Sequence, residues 1–273
     1  MECHSLTYRY FHDGGKTHNL HTSEVMEKDL QKYEQQFGTR SCVDNSYKNF
    51  DDKRKLFTGV KDMTIITPSN WLAGLVKKSF LSEYPVKIIR NGIDTSKFFR
   101  IKSDFRKIHG LENKFLILGV STAWDEMKGL GDYIKLADIL GTDYKIILVG
   151  LTKKQKENLP EKIFGIERTN SVEELVKIYS TADLYANLSY CENYPGTNLE
   201  AAACGTPVLT YNSGGSPESA LNGIIIPRGD INKTAEKIKN FRENPDSINM
   251  NNINRSEIDT KKTLDEYMKF YLI

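Results

Sequence analysis

Residues 188–218 run Leu188-Ser-Tyr-Cys-Glu-Asn-Tyr-Pro-Gly-Thr-Asn-Leu-Glu-Ala-Ala-Ala-Cys-Gly-Thr-Pro-Val-Leu-Thr-Tyr-Asn-Ser-Gly-Gly-Ser-Pro-Glu218 and predict a loop, a short helix, a strand and a turn. Proline favours the first helical turn and glycine favours the residue after a helix, so the helix should extend from about Pro195 to Gly205. Because nearly all its side chains are apolar, the helix should be buried. The carboxylate of Glu200 would then need a partner, since an unpaired buried charge is costly, and a polyol ligand would supply one.

The composition excludes several classes of protein. The 273 residues include 38 Lys and Arg against 36 Asp and Glu, so no general basic surface marks nucleic acid as a partner. No apolar run approaches the roughly 18 residues of a membrane span, and the start lacks the features of a signal peptide. The cysteines form no C-x-x-C pair, which is typical of reduced thiols; they are Cys3, Cys42, Cys191 and Cys204. We therefore expect a cytoplasmic protein.

Residues 1–55 are polar and show no sustained helix or strand period, so we expect a surface or poorly ordered segment. Four of the five histidines lie here together with Cys3, but their spacing matches no known metal-binding pattern. A solvated segment is favoured over a metal site.

Residues 56–100 predict a small unit with strand and helix character. Residues 63–67 and 86–89 are short apolar strands, and residues 68–80 between them have apolar side chains at helical spacing. Asn-Gly at 91–92 then predicts a turn that leads into a basic linker.

Residues 101–255 predict an open, doubly wound α/β domain with a parallel sheet. Its strands are apolar runs without alternation, which is typical of strands covered by helices on both faces. The predicted strands are 115–120, 144–149, 162–166, 183–188, 207–211 and 223–227. The predicted helices are 130–140, 172–179 and 230–241. Ser171 and Glu174 should form a capping box on the second helix, and an amphipathic helix should lie within residues 256–273.

Ligands of doubly wound sheets bind beyond the carboxyl ends of the strands, and the loop before Pro195 belongs there. The first amides of a helix have no partner within it, so those of Gly196, Thr197 and Asn198 should point toward an anion, assisted by the helix dipole. Lys128 lies between the first strand of the domain and its helix, where its ammonium could reach the same anion. Phosphate is the expected ligand of such a site.

Glycines near this helix favour close approach of a ligand. Gly196 lacks a side chain that would block a phosphate. The Gly214-Gly215 pair is expected to offer the same access from a neighbouring loop.

Glu192 and Glu200 resemble the E-x7-E signature of the retaining family 4 glycosyltransferases, which have the GT-B fold of two facing Rossmann-like domains. Further elements look like those of the family, in the same order, and cover about residues 60–230. They are Ile-Arg-Asn-Gly-Ile-Asp at 89–94, Lys128-Gly129, residues 175–183 and Gly-Gly-Ser-Pro-Glu at 214–218. The resemblance implies that residues 56–100 end an N-terminal acceptor domain and that residues 101–255 bind the donor. Because a GT-B enzyme has two domains of typical size, the first is expected to be truncated here.

The resemblance also implies a nucleotide-sugar donor, either a UDP- or a GDP-sugar. By position, Glu200 would hold the ribose hydroxyls, Glu192 the sugar and Lys128 the diphosphate, with amides from Gly196–Asn198. Glu192 and Lys128 are therefore the catalytic candidates. The family implies metal independence, and the sequence has no D-x-D motif for a divalent cation, so no cofactor is expected.

The activity implied by the resemblance is transfer of a hexose, with retention of configuration, to a growing surface polysaccharide or lipid-linked glycan. One departure from the family is Ala123, at a position where the family commonly has an arginine. The alternative is a truncated, catalytically silent nucleotide-sugar-binding module. A sugar-nucleotide epimerase or phosphorylase is disfavoured, because nothing resembles a cofactor lysine or a paired acid and base.

Several of these residues have simpler interpretations. Glu200 could form a structural ion pair with Lys128 or Arg228. Cys191 and Cys204 are most simply small buried hydrophobic residues. The basic residues within 97–107 are typical of a solvated linker, yet they could contact anionic lipid headgroups, which keeps a location at the inner face of a membrane open.

Overall fold

The computed structural model of the chain describes residues 46–248 and 253–271. The chain divides into two compact units between Ile88 and Ile89. The linker at 89–100, grouped above with the preceding strands, lies in the same unit as the large sheet. The histidine-rich part of the expected solvated segment, residues 1–45, lies outside the described residues.

The described part of the first unit, residues 46–88, contains two short parallel strands, which pair with each other, and two helices. Its elements are α1 (Ser46–Phe57), β1 (Ile65–Thr67), α2 (Asn70–Val76) and β2 (Val86–Ile88). The strands and α2 match the prediction with shorter ends. Helix α1 corrects the expectation of irregular structure up to residue 55. Asp51 pairs with Arg54 at 2.9 Å and with Lys55 at 2.5 Å, and such spacings stabilise a polar helix.

The second unit is built, within the described residues, on a six-stranded parallel sheet of order β5-β4-β3-β6-β7-β8. Its strands are β3 (Phe115–Val120), β4 (Tyr144–Val149), β5 (Ile163–Ile166), β6 (Leu184–Asn187), β7 (Val208–Tyr211) and β8 (Ile224–Ile226). Consecutive residues of β3 enter different cores. Ile117 packs on one face, and Leu116 and Leu118 pack on the other, all fully buried. Burial on both faces explains the apolar runs without alternation and confirms the doubly wound α/β class.

Helices cover both faces of this sheet. The helices of the described part of the second unit are α3 (Phe105–Ile108), α4 (Leu130–Ile139), α5 (Lys153–Glu157), α6 (Val172–Thr181), α7 (Gly196–Ala203), α8 (Ile231–Glu243) and α9 (Thr260–Tyr271). The predicted helices are confirmed. The short α3 and α5 were not predicted, because one or two turns show no clear period. Helix α5 begins at a capping box formed by Thr152 and Gln155.

The capping box predicted for α6 forms only in part. The Ser171 hydroxyl accepts a hydrogen bond from the Glu174 amide at 3.1 Å, as expected. The Glu174 carboxylate accepts from the amide of Asn170 rather than from that of Ser171. The acidic side chain therefore supports the chain one residue earlier.

Helix α7 confirms the buried helix of the central stretch. It begins at Gly196, with Pro195 as N-cap, one residue later than predicted. Gly205 has a φ of +75°, the left-handed conformation expected after a helix end. Leu199 and Ala201 are fully buried, so α7 lies in the core and Glu200 projects from a helix with little contact with water.

The strand order reverses between β3 and β6. Successive strands add outward from β3 on one side and from β6 on the other, and ligands of doubly wound sheets bind beyond the carboxyl ends of the two strands at such a reversal. The loop after β3 contains Lys128, and the loop after β6 contains Glu192 and leads into α7. The topology therefore brings these two residues to one place.

Helix α9 is anchored to the linker. The Ile93 amide donates to the Ile258 carbonyl at 2.9 Å, and the Thr260 amide donates to the Ile93 carbonyl at 2.9 Å. Like every helix in residues 46–248 and 253–271, α9 lacks the length or the apolarity needed to cross a bilayer.

Candidate functional site

Lys128 and Glu192 form the centre of the candidate site. The Lys128 Nζ atom lies 2.5 Å from the Glu192 Oε1 atom. The Glu192 side chain is only 16% exposed and that of Lys128 is 37% exposed. The ion pair is therefore partly withdrawn from water, where each charge acts more strongly on a bound group than at the surface.

Close backbone packing brings the two loops together. Gly129 is the N-cap of α4 with a φ of +75°, and a Cβ atom there would lie 2.2 Å from the Leu188 carbonyl oxygen. The Tyr190 amide donates to the Met127 carbonyl at 2.8 Å. The Lys-Gly dipeptide of the sequence thus has a structural reason, because only glycine allows the loop of Lys128 to approach β6 so closely.

The Gly214-Gly215 turn holds the backbone of Glu192. The Gly215 amide donates to the Glu192 carbonyl at 2.9 Å, and a Cβ atom on Gly214 would lie 1.9 Å from the same oxygen. The expectation of free ligand access is therefore wrong at Gly214, because the Glu192 backbone occupies the space beside it. The turn instead fixes the backbone of the loop that contains Glu192.

The start of α7 retains the features of an anion site at two of the three predicted residues. A Cβ atom on Gly196 would meet nothing within 4 Å, so there is open space beside it. The amides of Gly196 and Thr197 have no protein partner among the described residues, as expected of a first helical turn.

Asn198 departs from the prediction. Its amide donates to the Pro195 carbonyl at 3.3 Å, so the expectation of a third free amide is wrong. Its side chain is fully buried, accepts from Asn187 Nδ2 at 3.0 Å and donates to Ser219 Oγ at 2.9 Å. It also lies 3.3 Å from both the carbonyl and the hydroxyl of Ser216. Asn198 joins the end of β6, the start of α7 and the turn after Gly215.

Glu200 has a neutral partner. Its Oε2 atom accepts from the Tyr179 hydroxyl at 2.9 Å, and no ion pair with Lys128 or Arg228 occurs in the described part of the chain. Burial raises the pKa of the Glu200 carboxyl, and the Tyr179 hydrogen bond partly offsets this effect. The simpler interpretation of a structural ion pair is therefore wrong.

Asp132 is a buried carboxylate that the sequence analysis missed. It lies in the first turn of α4 and is 4% exposed. Its Oδ2 atom accepts from the hydroxyls of Tyr190, at 2.8 Å, and Tyr211, at 2.9 Å. An acidic residue within an otherwise apolar helix face was the only local signal, and its partners are distant in the chain.

No positive charge is present at residue 123, where the family commonly has an arginine. Ala123 is exposed, and the neighbouring Trp124 is 6% exposed with its indole nitrogen donating to the Val149 carbonyl at 2.9 Å. Trp124 therefore belongs to the core. Lys128 is the basic side chain that contacts Glu192 in the candidate site.

The cysteines near the site have a structural character. Cys191 and Cys204 are both buried. Burial raises the pKa of the Cys204 thiol to about 12, with a further contribution from Glu200. Neither the site nor the rest of residues 46–248 and 253–271 gathers three or more His, Cys, Asp or Glu residues suited to a metal ion.

Comparison with known proteins agrees with this arrangement. The family described as "Glycosyl transferases group 1" matches residues 101–257. ORF313 of Acidianus filamentous virus 1, a glycosyltransferase candidate, is 29% identical over 170 residues, which cover 61% of this chain and 50% of that protein. The capsular polysaccharide biosynthesis glycosyltransferase CapM of Staphylococcus aureus is 25% identical over 162 residues, which cover 55% of this chain and 43% of CapM. The chain thus spans about half the length of these curated relatives.

Among solved structures, Anabaena Alr3699/HepE in complex with UDP-glucose has a TM-score of 0.70 and 20% identity, over 83% of this chain and 68% of that one. The likeness is one of fold, and it agrees with the GT-B class that the sequence motifs imply. By its match over the whole of the large sheet and the candidate site, this chain belongs to the group 1 family of glycosyl transferases.

Proposed function

We propose that this chain carries the donor site of a retaining glycosyltransferase of family 4, which moves a hexose from a nucleotide sugar to a growing surface polysaccharide or lipid-linked glycan. The observation that carries the proposal is the Lys128–Glu192 pair at the reversal of the strand order, beside the start of α7. The HepE structure contains UDP-glucose, and CapM is named for capsular polysaccharide biosynthesis, so a UDP-sugar and a glycan acceptor are the first choices.

Each polar group of the site has a role in this proposal. Lys128 and the amides of Gly196 and Thr197 hold the diphosphate of the donor. Glu200 accepts hydrogen bonds from the ribose hydroxyls, for which its Oε1 atom is suited because Tyr179 contacts Oε2. Glu192 faces the sugar. Asn198, whose side chain is buried in protein contacts, sets the geometry of the loops.

The chemistry needs stabilisation of a departing nucleoside diphosphate. Positive potential that is fixed before the reaction stabilises the charge that develops on the leaving oxygen. Lys128 and the N-terminus of α7 supply such potential without a metal ion or other cofactor. The leaving phosphate then takes the proton of the acceptor hydroxyl as that oxygen attacks the same face of the sugar, which retains the anomeric configuration.

A peripheral location at the inner face of a membrane is part of the proposal, but fewer basic residues support it than the sequence indicates. Arg106 is bound to Asp183 at 2.7 Å and to the Thr181 carbonyl at 2.9 Å, and Lys97 pairs with Asp94 at 2.9 Å. Arg106 and Lys97 are therefore bound to groups of the protein itself and do not count as support for contact with lipid headgroups. Other exposed basic residues of the linker would have to contact the anionic headgroups.

A second candidate function is nucleotide-sugar binding without transfer. Ala123, which is exposed at the place where the family commonly has an arginine, favours it, because one phosphate partner is then missing. Binding in both cases rests on the same residues, whereas only a transferase cleaves the donor.

Thermal unfolding of the full chain with UDP-glucose, GDP-mannose and ADP-glucose tests binding. A ligand at 100 times its Kd stabilises the folded state by about 2.7 kcal/mol, so a specific donor raises the Tm while the others do not. Absence of a shift with every nucleotide sugar would contradict both candidate functions. Release of nucleoside diphosphate from the bound donor, measured against Lys128→Ala, then supports the transferase, and binding without release supports the silent module.

A further inference from the structure

Asp132 ties together the elements that surround the Lys128–Glu192 pair. It belongs to α4, the helix that begins directly after the Lys128 loop. Tyr190 lies in the loop that leads from β6 to Glu192, and Tyr211 ends β7, just before the turn that holds the Glu192 backbone. One carboxylate oxygen of Asp132 accepts from both tyrosine hydroxyls. A single buried group therefore connects three segments.

Because Asp132 is buried, its hydrogen bonds to Tyr190 and Tyr211 constrain the positions of both side chains. A buried carboxylate must be satisfied by hydrogen bonds, and the two hydroxyls approach to 2.8 Å and 2.9 Å. Lys135 lies 3.4 Å from the other oxygen, but its side chain is 68% exposed and contributes little. Burial raises the pKa of Tyr190 to about 12, with Asp132 as the next cause, so the hydroxyl remains a donor at neutral pH.

Tyr190 links its hydrogen bond with Asp132 to the loop that contains Glu192. Its ring packs edge-on against Tyr211 with centroids 5.9 Å apart, and its hydroxyl would lie 3.1 Å from a Cβ atom on Gly229. Its amide donates to the Met127 carbonyl, next to Lys128. The side chain and the backbone of Tyr190 thus fix the loop of Glu192 to α4 and to the Lys128 loop at two separate points.

We propose that Asp132 is a positioning residue for donor binding: through Tyr190 and Tyr211 it holds the loop of Glu192 against the loop of Lys128, where the donor diphosphate and sugar are proposed to bind. This inference rests on the proposed function of the Lys128–Glu192 pair. Asp132 itself is too deeply buried to contact the donor.

Tyr190→Phe and Asp132→Asn test the proposal in the full chain, with UDP-glucose binding measured by calorimetry. Tyr190→Phe removes one hydrogen bond and keeps the ring, so UDP-glucose affinity falls about fivefold, the effect of one such bond. Asp132→Asn keeps an acceptor oxygen and weakens binding less than Asp132→Ala. Because Asp132→Ala can fail to fold, Tyr190→Phe is the deciding variant.

Tyr133→Phe is the matched control. Tyr133 neighbours Asp132 on α4, is fully buried, and donates to the Ala186 carbonyl within β6. Its loss lowers the Tm as the Tyr190 change does, yet it leaves UDP-glucose affinity unchanged. Equal losses of affinity in Tyr133→Phe and Tyr190→Phe would overturn the proposal, since Asp132 and Tyr190 would then act only on stability.

A double-mutant cycle with Lys128→Ala tests the positioning role of Tyr190 separately from the donor-binding role of the Lys128–Glu192 pair. If Tyr190 acts through the ion pair, Tyr190→Phe has a smaller effect on affinity in the Lys128→Ala background than in the unchanged chain, whereas independent effects add. Additive losses overturn the positioning role while the donor site stands. If Lys128→Ala alone leaves UDP-glucose affinity unchanged, the proposed function of the ion pair fails, whatever the effect of Tyr190→Phe.

Discussion

The Lys128 Nζ atom lies 2.5 Å from Glu192 Oε1, although 64 positions of sequence separate the two residues. The ammonium that is proposed to hold a diphosphate thus contacts a carboxylate. A donor must share or displace this contact, so the affinity of the site depends on both charges.

Lys128→Ala is expected to weaken binding of UDP-glucose. Hydrogen bonds to charged groups contribute about 1.5 to 3 kcal/mol, so Kd rises roughly 10- to 150-fold. Isothermal titration calorimetry with UDP-glucose and with UDP measures the change. Lys156→Ala provides the control, because it breaks another lysine–carboxylate pair, with Glu167 at 3.3 Å, that is about half exposed. An equal loss of affinity in both variants would contradict the role of Lys128.

Glu192→Gln is expected to separate binding of the nucleotide from use of the sugar. The amide keeps the shape of the side chain but no longer competes for the Lys128 charge, so UDP should bind about two- to fivefold more tightly. Cleavage of UDP-glucose should fall, because the carboxylate that faces the sugar is gone. Weaker UDP binding in this variant would show that Glu192 does not compete with the diphosphate.

The pKa of Glu200 predicts a pH dependence of stability. Burial raises this pKa above the ordinary value of 4.5. A carboxyl whose pKa is raised by folding stabilises the protein while it is protonated, and this contribution is lost as pH rises from 4.5 through the raised pKa. Glu200→Gln, which stays neutral, should therefore gain stability relative to the unchanged chain across that range.

Urea unfolding of both proteins at a series of pH values measures this difference. Tyr179→Phe is a useful companion, because it removes the hydrogen bond that lowers the Glu200 pKa and should move the transition to higher pH. A stability difference that decreases as pH rises would contradict the predicted sign. With UDP-glucose present, binding should strengthen through the same range, because the ionised carboxylate is the better acceptor for ribose hydroxyls.

Gly214→Ala is expected to disrupt the loop of Glu192. The added Cβ atom would lie 1.9 Å from the Glu192 carbonyl oxygen, and Gly214 has a φ of +59°. The left-handed conformation alone costs an alanine about 1 to 2 kcal/mol, and the clash adds to this cost. Thermal unfolding should show a lower Tm, and calorimetry should show weaker UDP-glucose binding. A normal Tm would contradict the close packing of this turn.

Gly196→Ala should behave in the opposite way. Its added Cβ atom meets no protein atom within 4 Å, so the Tm should be unchanged or slightly higher. If a phosphate approaches this helix start, the methyl group interferes with it, and UDP affinity falls about tenfold, comparable to the loss of one charge-assisted hydrogen bond. Normal UDP affinity would place the phosphate elsewhere.

Local signals in the sequence were sufficient for most of the secondary structure. The strands of the large sheet appear as unbroken apolar runs because both of their faces are covered, and Ser171, Pro195 and Gly205 mark helix ends through their own backbone preferences. The short helices were missed because one or two turns leave no period. Sequence motifs identify Lys128 and Glu192 as candidate residues but do not give the distance between them.

The roles of other residues could not be predicted, because they depend on partners that are far away in the sequence. Asn198 looked like a supplier of a free amide, but its side chain is surrounded by β6 and the turn after Gly215. Gly214 looked like a ligand contact, but it accommodates the Glu192 carbonyl. Asp132 gave almost no signal, because its importance comes from Tyr190 and Tyr211.

The sequence by itself determined the α/β class, the order of the elements and the presence of two glutamates beside a helix start, because hydrophobic period and turn chemistry act over a few residues. Tertiary structure alone decided the strand order, the 2.5 Å contact of Lys128 with Glu192 and the pairing of Glu200 with Tyr179. These features depend on how the sheet packs between its two layers of helices, and many segments distant in the chain must meet before any one of the contacts can form.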